Sequence, residues 1–195
     1  MVLGITGISG SGKHTAAEFL KQKGWIILDA DKIAHYLYRP YTSVWKAITT
    51  HFGEGILNTS DKIDRQKLSK IVFNSEDPKK AAKELKILNE IMHPAIQIHI
   101  KNEIYYIRGK KNIALVAALW KELNLPEYCD KILMVSADKE TAFQRIQKRD
   151  GADRNAFEAR IKNQIMPPKP NFTVANNGDF KEFYTALNRL ILDSK

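Results

Sequence analysis

The sequence holds one cysteine, Cys129, so no disulfide can close within the chain, which suits a reducing, cytoplasmic setting. A lone thiol among apolar neighbours reads as packing rather than as a nucleophile. No apolar run is long enough to span a bilayer. The opening Met-Val-Leu-Gly already reads as strand, so no secretory leader is expected. Acids are the scarcer charge, 22 against 31 Lys and Arg, for a formal +9. A basic surplus can signal nucleic acid. Yet there is no basic run interleaved with aromatics, no zinc-ligand spacing and no helix-turn-helix pattern. Much of the excess is Lys on helix faces (Lys79, Lys80, Lys83, Lys86), ordinarily just solvated. It suits polyphosphate ligands equally well, and nucleic acid is the minor reading. Internal repeats and low-complexity tracts are missing too. What remains is 195 residues at 44% hydrophobic content, enough for one α/β domain with an inserted module and a real core.

The most informative stretch is Val2 to Leu20, VLGITGISGSGKHTAAEFL. Residues 2–6 read as a buried strand and Ala16 to Leu20 as the start of an amphipathic helix. Between them Gly7 to Lys13 fits G-x-x-x-x-G-K in the strand–loop–helix context that motif requires. Its physics is anion capture: glycines let backbone N–H groups curl around phosphate, the helix N-terminus adds positive potential, and Lys13 reaches the outer phosphates. The residue after Lys13 should be Ser or Thr, whose hydroxyl holds Mg²⁺; here it is His14. Thr15 lies about 100° further round an α-helix and cannot simply stand in. Magnesium prefers oxygen to imidazole, so phosphate binding is better supported than metal-assisted transfer.

Further apolar runs at 25–28, 112–118, 131–136 and 172–175 complete a five-stranded parallel sheet of the α/β, P-loop three-layer class. Open sheets of this kind bind ligands beyond the carboxyl ends of their strands, where Asp29-Ala30-Asp31 falls. Capping and catalysis are equally good readings of Asp29, and catalysis is favoured for Asp31. Residues 40–108 show only helical spacing and read as an inserted module within a core of 1–39 and 109–195. Its last helix, from Pro78 to near Arg108, should kink or restart at His93-Pro94. Residues 150–168, with a polar helix over 154–164 and a proline-rich Met166-Pro167-Pro168-Lys169-Pro170, read as a lid.

Taken in order, GITGISGSGKHT, LDADKIAH, HFGEGIL, IDRQKLSKIVF, LNEIMHPAI, QRIQKRDG, RIKNQ and VANNG resemble the dephospho-CoA kinases over nearly the whole length. The resemblance implies ATP-dependent phosphorylation of the ribose 3′-hydroxyl of dephospho-CoA, giving coenzyme A. It implies that Gly10, Ser11, Gly12, Lys13 and Thr15, with His14 among them, cradle ATP. It makes Asp31 the general base, and it puts Arg145, Arg149 and Arg160 in the lid region and Asn176 near the adenine. Substrate contacts are implied for the inserted module, through Phe52 of His51-Phe52-Gly53 and through His93 and Pro94, and also for His35, Leu119 and Trp120. Lid arginines and Lys13 would spread the charge of the transferring phosphoryl group. From spacing alone, Arg145 and Arg149 are also an ordinary i, i+4 pair on a solvated face, and His93 is as good a helix-boundary residue as a ligand contact.

The departures from the family cluster around metal and substrate. Besides His14, the family's acid after the third strand is replaced by Val116, within Val116-Ala117-Ala118-Leu119-Trp120-Lys121-Glu122, and only Glu122 remains of the acidic pair. His35 replaces an arginine. Three readings stay open: a working kinase whose Mg²⁺ is held by nucleotide, water and Asp31; a nucleotide-binding module with weak or no transfer; and a kinase for another small alcohol or nucleoside.

Overall fold

A computed structural model describes residues 1–73, 76–162, 164 and 169–192. Five strands form one all-parallel sheet: β1 (Val2–Thr6), β2 (Ile26–Asp29), β3 (Ile113–Val116), β4 (Lys131–Ser136) and β5 (Phe172–Ala175), in the order β2-β3-β1-β4-β5. All five residues of β1 are buried, as expected of the central strand of a parallel sheet covered on both faces. In register, Ile5 lies beside Val116, and Val116 beside Asp29 on its other side.

The helices are α1 (Lys13–Gln22), α2 (Ala30–Leu37), α3 (Ser43–Phe52), α4 (Arg65–Val72), α5 (Pro78–Ile107), α6 (Lys139–Asp150), α7 (Arg154–Lys162) and α8 (Phe180–Leu192). Local chemistry sets several ends. Thr42 caps α3, its hydroxyl accepting from the Trp45 N–H at 3.0 Å, and Asp64 caps α4 by accepting from the N–H groups of Gln66 and Lys67. Gly151, left-handed at φ 67°, stops α6. The apolar faces of α1 and α8 (Phe19, Leu20, Phe183, Leu187) pack with Leu3, Ile5, Leu133 and Val135 of the sheet.

Four sequence expectations shift in detail. The second strand runs 26–29 rather than 25–28, with Trp25 buried just outside it, and the third is trimmed from 112–118 to 113–116. Helix α5 runs unbroken through Pro94, so the expected restart at His93-Pro94 does not occur; the proline removes one N–H donor without ending the helix. Helix α7 closes at Lys162, and Met166-Pro167-Pro168 of the expected lid lie outside the described residues.

The chain divides into two compact units, Met1–Ala30 with Lys101–Lys195, and Asp31–Ile100. The first carries the sheet. The second is helical, with one isolated antiparallel bridge, Leu57 to Ile63, among its described residues.

Candidate active site

Strand β1 delivers the chain to a loop whose glycines adopt conformations other residues resist. Gly10 has φ 86°, and a Cβ there would collide with the Ala142 carbonyl of α6, so only glycine lets loop and helix approach. Gly12 is left-handed at φ 97° and starts α1, which has no side-chain cap. The first-turn N–H groups therefore lack the usual side-chain acceptor, the arrangement that receives an anion. Lys13 is buried at the base of the loop, its Nζ donating to the Gly7 carbonyl at 3.4 Å. Ser11 Oγ is buried without a hydrogen-bond partner, an orphan of the kind that a phosphate oxygen would satisfy. Thr15 is half-buried within the first turn of α1.

Two residues from distant elements brace this loop. Asn176, buried after β5, donates from Nδ2 to the Ser11 carbonyl at 2.8 Å. Arg145 of α6 donates to the carbonyls of Gly10 (3.3 Å) and Asn176 (2.9 Å), and to Asn176 Oδ1 at 3.4 Å. Arg149 and Arg160 behave differently, because they converge on Asp150. The Arg149 guanidinium donates to both carboxylate oxygens at 2.6 and 2.8 Å, and Arg160 to one of them at 2.9 Å. The Arg149 hydrogen bond, and then that of Arg160, hold the Asp150 carboxyl well below its usual range. Gln164 joins this region to the loop, its Oε1 accepting from the Ser9 N–H at 2.8 Å.

His14 projects from the first turn of α1, half-exposed, with Nε2 3.3 Å from Oδ2 of Asp29, which is only 6% exposed at the end of β2. Neither reading of Asp29 from sequence, cap or catalyst, includes this pairing. Of the segment after β3, Leu119 presents surface at 40% exposure. Trp120, at 1%, packs in the core with its indole N–H donating to the Ala117 carbonyl at 3.0 Å.

Within the helical unit, Asp31 stands exposed in the first turn of α2 and His35 one turn on. His35 borders a cavity of about 630 Å³ lined also by Tyr38, Arg39, Lys62 and Arg65. A second cavity of about 640 Å³ shares Tyr38 and Arg65 and extends along α4. The first is rich in cations beside Tyr38, and the second is more apolar with Arg65 and Lys70 as its cations, a pair of linings suited to an anionic, partly apolar ligand. Burial raises the Tyr38 hydroxyl above its ordinary value, against the opposing pull of Arg65. His51 meets Glu84 at 2.7 Å, and Phe52 stacks edge-on against His51. His93 is half-buried and Pro94 exposed on α5.

Sequence reading missed Asp150 as the anion that gathers two arginines, having placed it only at the start of the lid. It also missed Arg39, Lys62 and Arg65 as one basic wall. The clue to the first was an acid immediately after Arg149; the second had little local signal, since Arg39 is far in sequence from Lys62 and Arg65.

A family model described as dephospho-CoA kinase matches residues 1–178. A dephospho-CoA kinase from Lactobacillus johnsonii is 34% identical over 195 residues, covering 97% of this chain and 96% of that one. Among solved structures, TT1252 from Thermus thermophilus aligns with TM-score 0.81 at 26% identity, covering 100% of this chain and 97% of that one. The dephospho-CoA kinase from Campylobacter jejuni aligns at TM-score 0.67 and 26% identity, covering 98% and 96%. With a phosphate loop, a five-stranded parallel sheet and a family match over most of its length, the chain belongs to the dephospho-CoA kinase family.

Proposed function

We propose that the protein transfers the γ-phosphoryl group of ATP to the ribose 3′-hydroxyl of dephospho-CoA, giving coenzyme A and ADP. The observation that carries this is the built phosphate loop, with Lys13 buried at its base and α1 opening uncapped above it, in a chain of this family. Backbone N–H groups of residues 10–15, His14 among them, and Lys13 hold the triphosphate and take up charge as it builds on the transferring oxygens. Arg145 supports that role by fixing the loop, and Arg149 and Arg160 supply further cations from the lid. Asn176 acts as a brace. In the helical unit, Arg39, Lys62 and Arg65 meet the acceptor's diphosphate, and Tyr38 and His35 flank it. Phe52, His93, Pro94 and Leu119 are the remaining substrate candidates, while Trp120 supports that segment from the core.

Asp31 is the general base. As the 3′-oxygen bonds to the γ-phosphorus, its proton passes to the Asp31 carboxylate, and the bond to the bridging oxygen breaks to release ADP. The donors beside the loop, an imidazole and the Asp29 carboxylate, do not match the all-oxygen octahedron of Mg²⁺. Any Mg²⁺ would therefore be held by the triphosphate itself, where it would offset phosphate charge. Among the described residues no helix is long and apolar enough to cross a membrane, and a cytoplasmic location completes the reading.

The test is purified protein with ATP and dephospho-CoA, following 3′-phosphorylation, with a nucleoside panel in parallel. Coenzyme A formation is expected. Binding of ATP with no turnover of dephospho-CoA, or faster turnover of a nucleoside, overturns the proposal.

A further inference from the structure

The residues beside the phosphate loop disagree with magnesium in a specific direction. We infer that His14 and Asp29 form an imidazole–carboxylate site for a divalent transition-metal ion of the Mn²⁺, Co²⁺ or Zn²⁺ class. The inference rests on the reading that this loop holds the triphosphate.

Spacing is the first support. Nε2 of His14 and Oδ2 of Asp29 lie 3.3 Å apart. Two donors each about 2.1 Å from one ion are separated by about 3.0 Å at a right angle and about 3.4 Å at a tetrahedral one. The observed distance falls between those values. It exceeds the roughly 2.7–2.9 Å of a charge-assisted hydrogen bond.

Strand register is the second. Val116 ends β3 without a carboxylate, but Asp29 is its in-register neighbour on β2. Parallel neighbours at the same level point to the same face, about 4.8 Å apart. The acid missing from one strand is thus available from the next, at the same height along the sheet.

Donor chemistry is the third. Imidazole nitrogen with carboxylate oxygen suits Mn²⁺, Co²⁺ and Zn²⁺, whereas Mg²⁺ takes oxygen almost alone. His14 also directly follows Lys13, at the position where a hydroxyl ordinarily serves the nucleotide's metal. The exchange of hydroxyl for imidazole changes which ion is preferred and leaves the place of the ligand along the chain unchanged.

The experiment uses the full chain with ADP and Mn²⁺, read by pulsed electron paramagnetic resonance. ADP affinity without divalent ion is measured alongside by calorimetry. The wild type is expected to show ¹⁴N coupling to Mn²⁺, and His14→Ser to lose it. Because losing even a supporting partner of a metal site costs about 10–100-fold in affinity, His14→Ser should also lose about tenfold or more of the Mn²⁺-over-Mg²⁺ preference. His14 is half-exposed, so the variant has no core to disrupt. ADP binding with no nitrogen coupling in the wild type, or an unchanged ion preference in His14→Ser, overturns the metal site and leaves the nucleotide reading standing; the pair is then only an ion pair holding α1 to β2. Failure to bind ADP at all overturns the nucleotide reading, and this inference with it.

Discussion

Replacing Asn176 by Ala should loosen the phosphate loop measurably. The side chain is 2% exposed, and its Nδ2 donates to the Ser11 carbonyl at 2.8 Å. Removing the donor leaves that buried carbonyl unsatisfied, which costs about 1–3 kcal/mol. The Arg145 contact to Oδ1, at 3.4 Å, is longer than a good hydrogen bond and adds only about a few tenths. A loss of about 1–3 kcal/mol is therefore expected, a sizeable part of a total stability of roughly 5–15 kcal/mol. For a chain of this size each kcal/mol moves the midpoint by about 2–4 °C, so Tm should fall by about 2–12 °C. Asn176→Asp keeps the volume but turns a carboxylate oxygen toward the same carbonyl, so it should fall as far or further. Thermal melts with and without ADP provide the check, and ADP should bind more weakly to both variants, because the loop they unbrace is the one that grips phosphate. A Tm within about 1 °C of wild type together with unchanged ADP affinity would refute the bracing argument.

Other expectations follow from the same geometry. Asp31→Asn should slow transfer by about 10²–10⁴-fold while leaving ADP affinity within about twofold, since a general base contributes to the reaction and not to the nucleotide's grip; single-turnover rates beside calorimetry separate the two. Asp150 is held below its ordinary value by Arg149 and Arg160, so its share of stability is present above the unfolded carboxyl value near 4 and is lost as pH falls below it. Asp150→Asn should accordingly show a smaller Tm drop between pH 5 and pH 3 than wild type, and an equal drop would remove Asp150 from that account. The Cys129 thiol is pushed up to about 12 by burial and then by Asp130. The thiolate, the reactive form, is therefore scarce near neutral pH, so alkylation of the native protein should be far slower than of the unfolded chain. Rapid native labelling would contradict it.

The parallel sheet was legible because each strand is an apolar run bounded by turn residues, and β1 with its glycine loop carries a motif whose spacing is itself the physics. Helix α5 was legible in extent but not in continuity. Pro94 disfavours a helix locally, yet apolar positions before and after it (Leu88, Met92, Ile96, Ile100, Ile104) are all buried, and that packing outweighs one missing hydrogen bond. At the site, periodicity put Arg145 and Arg149 on one face of α6 but could not separate their fates. Arg145 turns to carbonyls of Gly10 and Asn176, 135 and 31 residues away in sequence, and Arg149 to its own neighbour. Trp120 was assigned to the substrate by resemblance. Its burial depends on Gly4, which leaves space for the indole one strand away, and no local pattern reports that. The His14–Asp29 pair likewise arises only when α1 lies alongside β2.

The anchoring of Arg145 has one more consequence. A long, flexible cation on a surface must be frozen when it meets an anion, and ordering such a side chain costs about 1.5–2 kcal/mol. Here the guanidinium is already tied to two carbonyls of the polypeptide before any nucleotide arrives. Its ordering belongs to folding rather than to the later capture of an anion, so the loop it braces is already held in place when a ligand arrives.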